Sequence, residues 1–233
     1  MVIKIIKSFL IINISLILFQ IINSKIELTE TKIGYLDDYF YELWKSDNIG
    51  ITIMNIDNKN KFSCSWKNVD NAIFNLGKDF PNGYSLKNVN DIALKFDFDF
   101  NSKGYSFIGI YGFFYTSYYE EYFVVENYGD GFIKPFTGTL LGTFFIDDGE
   151  YDIYLNEQIL PPNSQEIPKK TQYWSLRKEK RSSGIISLKK HLDIYLKKGA
   201  NFDNIYRIVM YVEGYQSSGS ADVNNFEIIL DEE

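Results

Sequence analysis

The feature that most constrains this chain is the strict alternation of aromatic and acidic side chains in Phe96-Asp-Phe-Asp-Phe100. Successive side chains of a strand point to opposite faces, so this alternation predicts a strand with buried phenylalanines and solvent-exposed aspartates. Similar segments follow one another from Asp38 to Leu230, and Asp147-Asp-Gly149 is a typical hairpin turn between two of them. The chain therefore reads as one all-β domain.

We expect short strands separated by turns, with Asn101-Ser-Lys-Gly104 as one of the turns. The predicted strands cover residues 51–56, 62–66, 96–100, 105–114, 118–128, 138–146, 151–155, 206–214 and 223–230. Strands of this number and length predict a jelly roll, in which two curved antiparallel sheets form a cleft.

One segment changes period and predicts a single α-helix. Its apolar residues recur at helical spacing and are Leu188, Leu192, Tyr195 and Leu196. Ser187 is placed to cap the start of this helix, and Gly199 is placed to end it.

Residues 1–24 have the pattern of a secretory signal peptide, because Lys4 and Lys7 precede an apolar stretch that ends at Asn23-Ser24. The alternative is an uncleaved signal anchor, which the apolar length also permits. Residues 25–37 are expected to form a linker or an extra edge strand, and residues 38–231 to form the functional domain. We expect a secreted protein with no membrane contact after cleavage.

Charge and composition exclude several classes of function. The formal net charge is −7 and would become more negative without residues 1–24, which disfavours nucleic acid as a partner but is compatible with neutral polysaccharide. Cys64 is the only cysteine, so no intrachain disulfide forms, and we expect it to be a small buried hydrophobic residue. His191 is the only histidine and lies in the predicted helix, which disfavours a zinc site or a Ser-His catalytic pair.

Two segments each place a carboxylate on an aromatic-rich strand: Glu121-Tyr-Phe-Val-Val-Glu-Asn-Tyr-Gly129 and Glu213-Gly-Tyr-Gln-Ser-Ser-Gly-Ser220. Two carboxylates that face each other across a cleft are the minimum requirement for cleaving a glycosidic bond. Strand alternation puts Gln172 and Trp174 on one face, and a surface of Tyr, Trp, Gln and Glu suits a sugar. Taken alone, either glutamate would be read as a solvated residue on a strand.

Three further segments support a site that cleaves glycosidic bonds: Phe62-Ser-Cys-Ser-Trp-Lys-Asn-Val-Asp-Asn71, Gly149-Glu-Tyr-Asp-Ile-Tyr154 and Thr171-Gln-Tyr-Trp-Ser-Leu-Arg177. In sequence and order, these segments and the two carboxylate segments resemble glycoside hydrolase family 11, the small jelly-roll endo-β-1,4-xylanases. The resemblance extends from about Tyr41 to about Ile229.

The resemblance implies a retaining endo-β-1,4-xylanase with Glu121 as nucleophile and Glu213 as general acid/base. It implies that the substrate is β-1,4-xylan or a related plant cell-wall polysaccharide, that no metal or cofactor takes part, and that the protein is a monomer. Asn71, beside the acid/base, implies a pH optimum near neutrality. The substrate-binding residues that it implies are Trp44, Asn71, Tyr111, Phe123, Pro162, Gln172 and Tyr215, with Pro162 in a mobile thumb hairpin formed by residues 155–167.

The chain departs from the family pattern within the expected cleft. Phe123 and Arg207 stand where the family has tyrosines, and Gln158 stands where it has an arginine that helps to bind substrate. Phe113 and Tyr128 replace tryptophans. Because the binding residues are altered, two alternatives stay open: a xylanase-like protein that binds glycan but cleaves it poorly, and a secreted interaction protein on the same scaffold.

The segment before the nucleophile also departs from the pattern, because Tyr118-Tyr119-Glu120 replaces the family's apolar residues after a one-residue insertion. This raises the question whether Glu120 or Glu121 is the nucleophile. Glu121 is preferred, since Glu120 faces the opposite side of the strand.

Overall fold

A computed structural model describes residues 25–46, 49–87, 89–115, 117–132, 138–159 and 169–232, without the side chains of 117–119, 158–159 and 169. Its helix, α1, spans Leu188–Lys197. Its strands are β1 Ile26–Leu28, β2 Lys32–Leu36, β3 Tyr39–Lys45, β4 Ile51–Asn58, β5 Lys61–Ser85, β6 Val89–Phe114, β7 Ser117–Tyr128, β8 Thr139–Ile146, β9 Gly149–Ile159, β10 Lys169–Arg177, β11 Ser183–Ser187 and β12 Asn204–Glu232.

The described strands form one twelve-stranded sheet with the order β1-β4-β5-β12-β6-β7-β10-β9-β8, to which β2, β3 and β11 attach at the side. The predicted all-β jelly roll is confirmed, and the described residues contain one helix, as predicted. The structure adds two details. The two layers are connected parts of one sheet, and β7 and β10 pair in parallel, whereas the other pairs are antiparallel.

Three long strands pass through both layers and so join them. The first part of β5, residues 61–67, pairs with β4, and its later part, residues 72–78, pairs with β3. Likewise β6 pairs with β11 through residues 93–97 and with β7 through residues 107–114. Strand β12 lies between β5 and β6 along most of its length. The sheet therefore folds over itself, and one face of the layer that contains β7 becomes concave.

The fold-over lies where three neighbouring strands each have a residue with positive φ. These residues are Asn68 at 52°, Gly104 at 91° and Gln216 at 45°. In β12 the register with β6 shifts between Tyr215 and Ser218. A local bulge bends a strand while its hydrogen-bonded ladder continues on both sides.

These bends correct two predictions from the sequence. The predicted turn at 101–104 does not end a strand, because β6 continues through it. The predicted strands 206–214 and 223–230 are parts of one strand, β12. Glycine and polar residues mark a bulge as well as a turn, so the sequence signal is the same for both.

The core lies between the two layers and is made of apolar side chains from both. Phe96 and Phe98 are buried in it, whereas Asp97 and Asp99 are exposed, so the predicted alternation is confirmed. Cys64 is also buried in this core as predicted, and burial raises the pKa of its thiol.

Helix α1 packs against β6. Leu188, Leu192 and Tyr195 are buried as predicted, but the fourth buried residue is His191, whereas Leu196 is exposed. Ser187 occupies the N-cap position, but its side chain makes no capping hydrogen bond. Its backbone N–H donates to Asp147 Oδ2 at 2.9 Å instead. Gly199 follows the helix at φ 103°, a conformation that favours glycine.

The first described residues add two short strands to the sheet. Strand β1 pairs with β4, and β2 pairs with β3. The predicted signal peptide, residues 1–24, lies outside the described residues. In the part of the chain that is described, no helix is long and apolar enough to cross a membrane.

Candidate active site

A second cluster of aromatic residues covers the concave face of the sheet, on the opposite side from the core. Strand alternation produces it, because β7 sends Phe123 and Val125 to this face and Tyr122 and Val124 into the core. The buried members of the cluster are Phe107, Phe123, Val125, Tyr154, Trp174, Leu176 and Tyr211.

This face forms an open cleft of about 490 Å³. Glu121 and Glu213 both line it, so the structure brings the two predicted catalytic residues into one site. Its lining residues are Glu42, Ile73, Asn75, Tyr105, Tyr111, Glu121, Phe123, Lys170, Gln172, Trp174, Arg207, Tyr211 and Glu213. Glu120 interacts electrostatically with the core residue Tyr173, which agrees with its expected position on the other face of β7.

Glu121 is 7% exposed, and three side chains donate hydrogen bonds to it. The Tyr111 hydroxyl and the Lys170 ammonium reach its Oε1 at 3.1 Å and 2.9 Å. The Gln172 amide reaches its Oε2 at 2.7 Å. Gln172 lies directly opposite Glu121 in the parallel pair of β7 and β10, and this pairing aligns the two side chains. Charge-assisted hydrogen bonds of this kind fix the orientation of a carboxylate.

The Gln172 side chain is itself fixed by two donors. Asn156 Nδ2 and Trp174 Nε1 donate to Gln172 Oε1 at 3.0 Å and 3.3 Å. Since the amide oxygen is occupied, the amide nitrogen must point at Glu121. Asn156 of β9 and Trp174 of β10 therefore fix the donor that Gln172 directs to Glu121.

Glu213 lies on β12 and accepts a hydrogen bond from the Tyr211 hydroxyl at 2.6 Å. The Asn71 side chain also hydrogen-bonds to it. Burial raises the pKa of the Glu213 carboxyl above its ordinary value, and the negative charge of Glu121 acts in the same direction. The bonds from Tyr211 and Asn71 and the charge of Lys170 oppose this rise. Glu213 is thus the glutamate of the pair that is suited to hold a proton.

Arg207 also lines the cleft. Its Nε and Nη2 donate to the two oxygens of Asp79 at 2.6 Å and 2.7 Å. The guanidinium also lies 3.5 Å from the centre of the Phe40 ring. This two-point ion pair holds the planar group in place at the edge of the cleft.

Two further polar residues lie in the cleft lining, and the sequence interpretation did not include them. Asn75 Nδ2 donates to Glu42 Oε2 at 2.8 Å. The other amide atom, Asn75 Oδ1, is buried, as is Asn71 Oδ1, and neither has a partner among the described residues.

The other predicted binding residues occupy different positions. Phe123 stacks on Trp174 at 3.8 Å between ring centres, within the cleft. Trp44 pairs with the cleft residue Ile73 and so shares its face, but it lies outside the central lining. Tyr215 is 39% exposed beside Tyr105, at the rim.

Some predictions cannot be compared with the structure. Pro162 and most of the predicted thumb hairpin lie outside the described residues, as does the Gln158 side chain.

The sequence interpretation missed Lys170, Glu42 and Asn75, but strand alternation offered a signal for each. Lys170 lies two residues before Gln172, and Glu42 lies two residues before Trp44. Asn75 lies four residues after Asn71 on β5. Each therefore shares a face with a residue that was predicted to bind substrate.

The family assignment follows from the match of residues 36–224 to the model of glycosyl hydrolases family 11. The chain belongs to this family. The resemblance inferred from the sequence segments is therefore confirmed, and with it the assignment as a glycoside hydrolase.

Relatives and solved structures agree with this assignment. Endo-1,4-beta-xylanase A of Bacillus pumilus is 34% identical over 219 residues, which cover 94% of this chain and 93% of that protein. Endo-1,4-beta-xylanase A of Thermoclostridium stercorarium is 35% identical over 199 residues, but these cover 85% of this chain and only 30% of that protein. The family 11 xylanase from Neocallimastix patriciarum has a similar structure, with a TM-score of 0.77 and 25% identity, over 89% of this chain and 100% of that one.

Proposed function

We propose that this chain is a retaining endo-1,4-β-xylanase, with Glu121 as nucleophile and Glu213 as general acid/base. The observation that carries the proposal is the placement of both carboxylates in one aromatic cleft, in a chain of glycosyl hydrolases family 11. The two groups have different surroundings. Glu121 is held by three donors that orient its carboxylate, whereas the pKa of Glu213 is raised by burial.

In the first step, Glu121 attacks the anomeric carbon of a xylose unit, and the glycosidic C–O bond breaks. Glu213 gives its proton to the leaving oxygen at the same time, so that the leaving chain departs as a neutral alcohol. The products of this step are a sugar ester on Glu121 and an ionised Glu213.

In the second step, Glu213 removes a proton from a water molecule, and the resulting hydroxide attacks the anomeric carbon. The ester bond to Glu121 breaks, which restores the Glu121 carboxylate and the protonated Glu213. Two inversions at the same carbon give net retention of configuration.

The cleft supplies the two kinds of contact that a neutral sugar chain needs. Aromatic rings such as Trp174 and Tyr105 offer flat apolar surfaces for the C–H faces of the sugar. The carboxylate of Glu42, which lines the cleft, offers an acceptor for hydroxyl groups.

The experiment that tests this function compares sugar release from β-1,4-xylan by the chain from residue 25 onward with release by Glu121→Gln and Glu213→Gln. The matched control is Glu150→Gln, which changes an exposed glutamate in an ion pair with Lys178. We expect each active-site change to lower the rate by at least about a thousandfold, or roughly 4 kcal/mol, and the control to leave it unchanged. A folded wild-type protein without activity at any pH would contradict the proposal.

We also propose that residues 1–24 are removed on secretion, that residues 38–231 form the catalytic domain, and that it acts as a monomer. The neutral Asn71 beside Glu213 supports a pH optimum near neutrality. A rate maximum at about pH 3 would contradict that expectation.

A further inference from the structure

Lys170 is a cation inside the cleft, next to the proposed nucleophile. It lies on β10 two residues before Gln172, so both side chains point to the same face. Its Nζ lies 2.9 Å from Glu121 Oε1, and its side chain is 30% exposed, against 10% for that of Glu121. This ion pair is therefore partly shielded from water, where charge interactions are stronger than at an open surface.

Lys170 also acts on the second carboxylate. Its positive charge lowers the pKa of Glu213, and the charge of Glu121 raises it. The same ammonium thus stabilises negative charge at either glutamate.

The two other charged residues of the cleft lining, Arg207 and Glu42, have partners other than Glu121 and Glu213. Two guanidinium nitrogens of Arg207 donate hydrogen bonds to the carboxylate of Asp79. Glu42 accepts a hydrogen bond from Asn75. The hydroxyls of Tyr111 and Tyr211, whose pKa values are raised well above 10.0 by burial, stay neutral. Among the lining residues, Lys170 is left as the cation that interacts with both glutamates.

We propose that Lys170 is a third catalytic residue, the counter-ion of the negative charge that moves between Glu121 and Glu213 during the reaction. This inference rests on the proposed retaining function. Before the reaction, Glu121 is ionised, Glu213 is protonated and Lys170 carries the compensating positive charge.

The charge balance of the two steps explains the role. When the sugar ester forms, Glu121 becomes neutral, and the proton transfer leaves Glu213 negative, so the net charge of the three groups stays zero. Lys170 then stabilises the Glu213 carboxylate, which has to act as the base toward water. When the ester is hydrolysed, the negative charge returns to Glu121 and Lys170 pairs with it again.

The direct test measures the ionisation of Glu213 by carbon NMR of protein labelled at the glutamate side-chain carboxyls, with Glu213→Gln to assign the signal. In Lys170→Gln we expect the midpoint pH of the Glu213 titration to rise by about 0.5–1 pH unit. Lys170→Arg keeps the positive charge, so its Glu213 midpoint should stay close to that of wild type. The control Lys178→Gln removes a cation from an exposed pair with Glu150 and should change nothing. An unchanged midpoint in Lys170→Gln would overturn the proposal.

A kinetic measurement tests the second half of the role. With an aryl β-xylobioside that has a good leaving group, Lys170→Gln should hydrolyse its sugar ester at least about fivefold more slowly, so that the burst of released aryl alcohol grows. Lys170→Arg should restore most of the rate. A change in KM with no change in kcat or burst would show a binding role only and would overturn the catalytic one.

The two proposals fail in different ways. If wild-type protein releases sugar but Lys170→Gln matches it in the NMR midpoint and the burst, only the role of Lys170 is wrong. If wild-type protein releases no sugar, the xylanase proposal fails, while the NMR midpoint still decides whether Lys170 controls the charge of Glu213.

Discussion

Strand β7 carries two buried glutamates five residues apart, on opposite faces of the same sheet layer. Glu121 faces the cleft and is 7% exposed, whereas Glu126 faces the core and is fully buried. Both are ionisable groups in a protein interior, where an unpaired charge is strongly unfavourable. The way in which each is paired distinguishes a reactive group from a structural one.

Glu126 is enclosed by groups that occupy both of its oxygens. The Tyr151 hydroxyl donates to Oε1 at 2.7 Å, and Arg181 Nε pairs with Oε2. Arg177 donates to the same Tyr151 hydroxyl at 3.1 Å and so extends the network. Burial raises the pKa of Glu126, while the two arginines oppose the rise. Glu126 is fully buried and pairs with Arg181, so its role is to join β7 to the loop before β11.

Glu121 has three side-chain partners, against two for Glu126, but it also borders an open cleft. Its donors come from β6 and β10, the two strands that flank β7, and the cleft leaves space for a sugar above these strands. The comparison shows that hydrogen bonds can prepare a carboxylate for reaction when they orient it without enclosing it. The predictions below test this distinction, from the largest expected effect to the smallest.

The largest effect is expected from breaking the core network. Arg181→Met leaves Glu126 buried without its cation, and we expect the free energy of unfolding to fall by about 3–5 kcal/mol. Because the change is remote from the cleft, the specific activity of the folded fraction should stay near that of wild type. Chemical denaturation and xylan hydrolysis measure the two quantities. As a control, Lys178→Met breaks an exposed pair and should change stability by less than about 1 kcal/mol. A stable but inactive Arg181→Met protein would contradict the division of roles.

The second prediction concerns His191, which is buried beneath β10 on the core side. Its Nδ1 lies 2.9 Å from Ser175 Oγ, and burial lowers its pKa from 6.5 to about 3. The unfolded chain therefore binds a proton at a higher pH than the folded chain. Stability should be complete above about pH 6.5 and fall toward pH 3, by up to about 1.4 kcal/mol for each pH unit.

The test compares the pH dependence of unfolding in wild type and in His191→Gln, which does not titrate in this range. Between about pH 6.5 and pH 3, the free energy of unfolding of the variant should change less with pH than that of wild type. Above about pH 6.5, the two curves should run parallel. Equal slopes across the whole range would mean that His191 is not the group that titrates.

The third prediction concerns the hydroxyl of Tyr211, which donates to Glu213 at 2.6 Å and opposes the rise in the pKa of Glu213. Removing it in Tyr211→Phe raises that pKa. Since Glu213 acts as the proton donor, the basic limb of the kcat/KM profile should move to higher pH, by up to about one unit. Tyr215→Phe, at the rim of the cleft, should leave the limb in place. A shift to lower pH in Tyr211→Phe would contradict the assigned direction.

Much of the architecture was predictable, because side-chain alternation depends only on local sequence. It put Gln172 and Trp174 on one face of their strand, and both line the cleft; it also separated Glu121 from Glu120 on theirs. At Gly104 and Gln216 the sequence predicts the ends of strands, whereas the structure has bends within continuous strands, because a bulge and a turn use the same residue types.

Features that depend on contacts distant in sequence were not predictable in the same way. Arg207 pairs with Asp79 from 128 positions away, and Lys170 reaches Glu121 across the parallel pair of β7 and β10. Local pattern identifies the face of a residue, but only the strand order identifies its partner.

The most direct test of the central claim is to trap the sugar ester and locate it. A 2-deoxy-2-fluoro-β-xylobioside with a good leaving group slows both steps and lets the ester accumulate, and peptide mass mapping then identifies the modified residue. The account predicts that one fluorinated xylobiosyl group is attached to Glu121, and that none is found in Glu121→Gln. Attachment at Glu120 or Glu126, or turnover of substrate with no trapped ester and with inverted configuration, would contradict it.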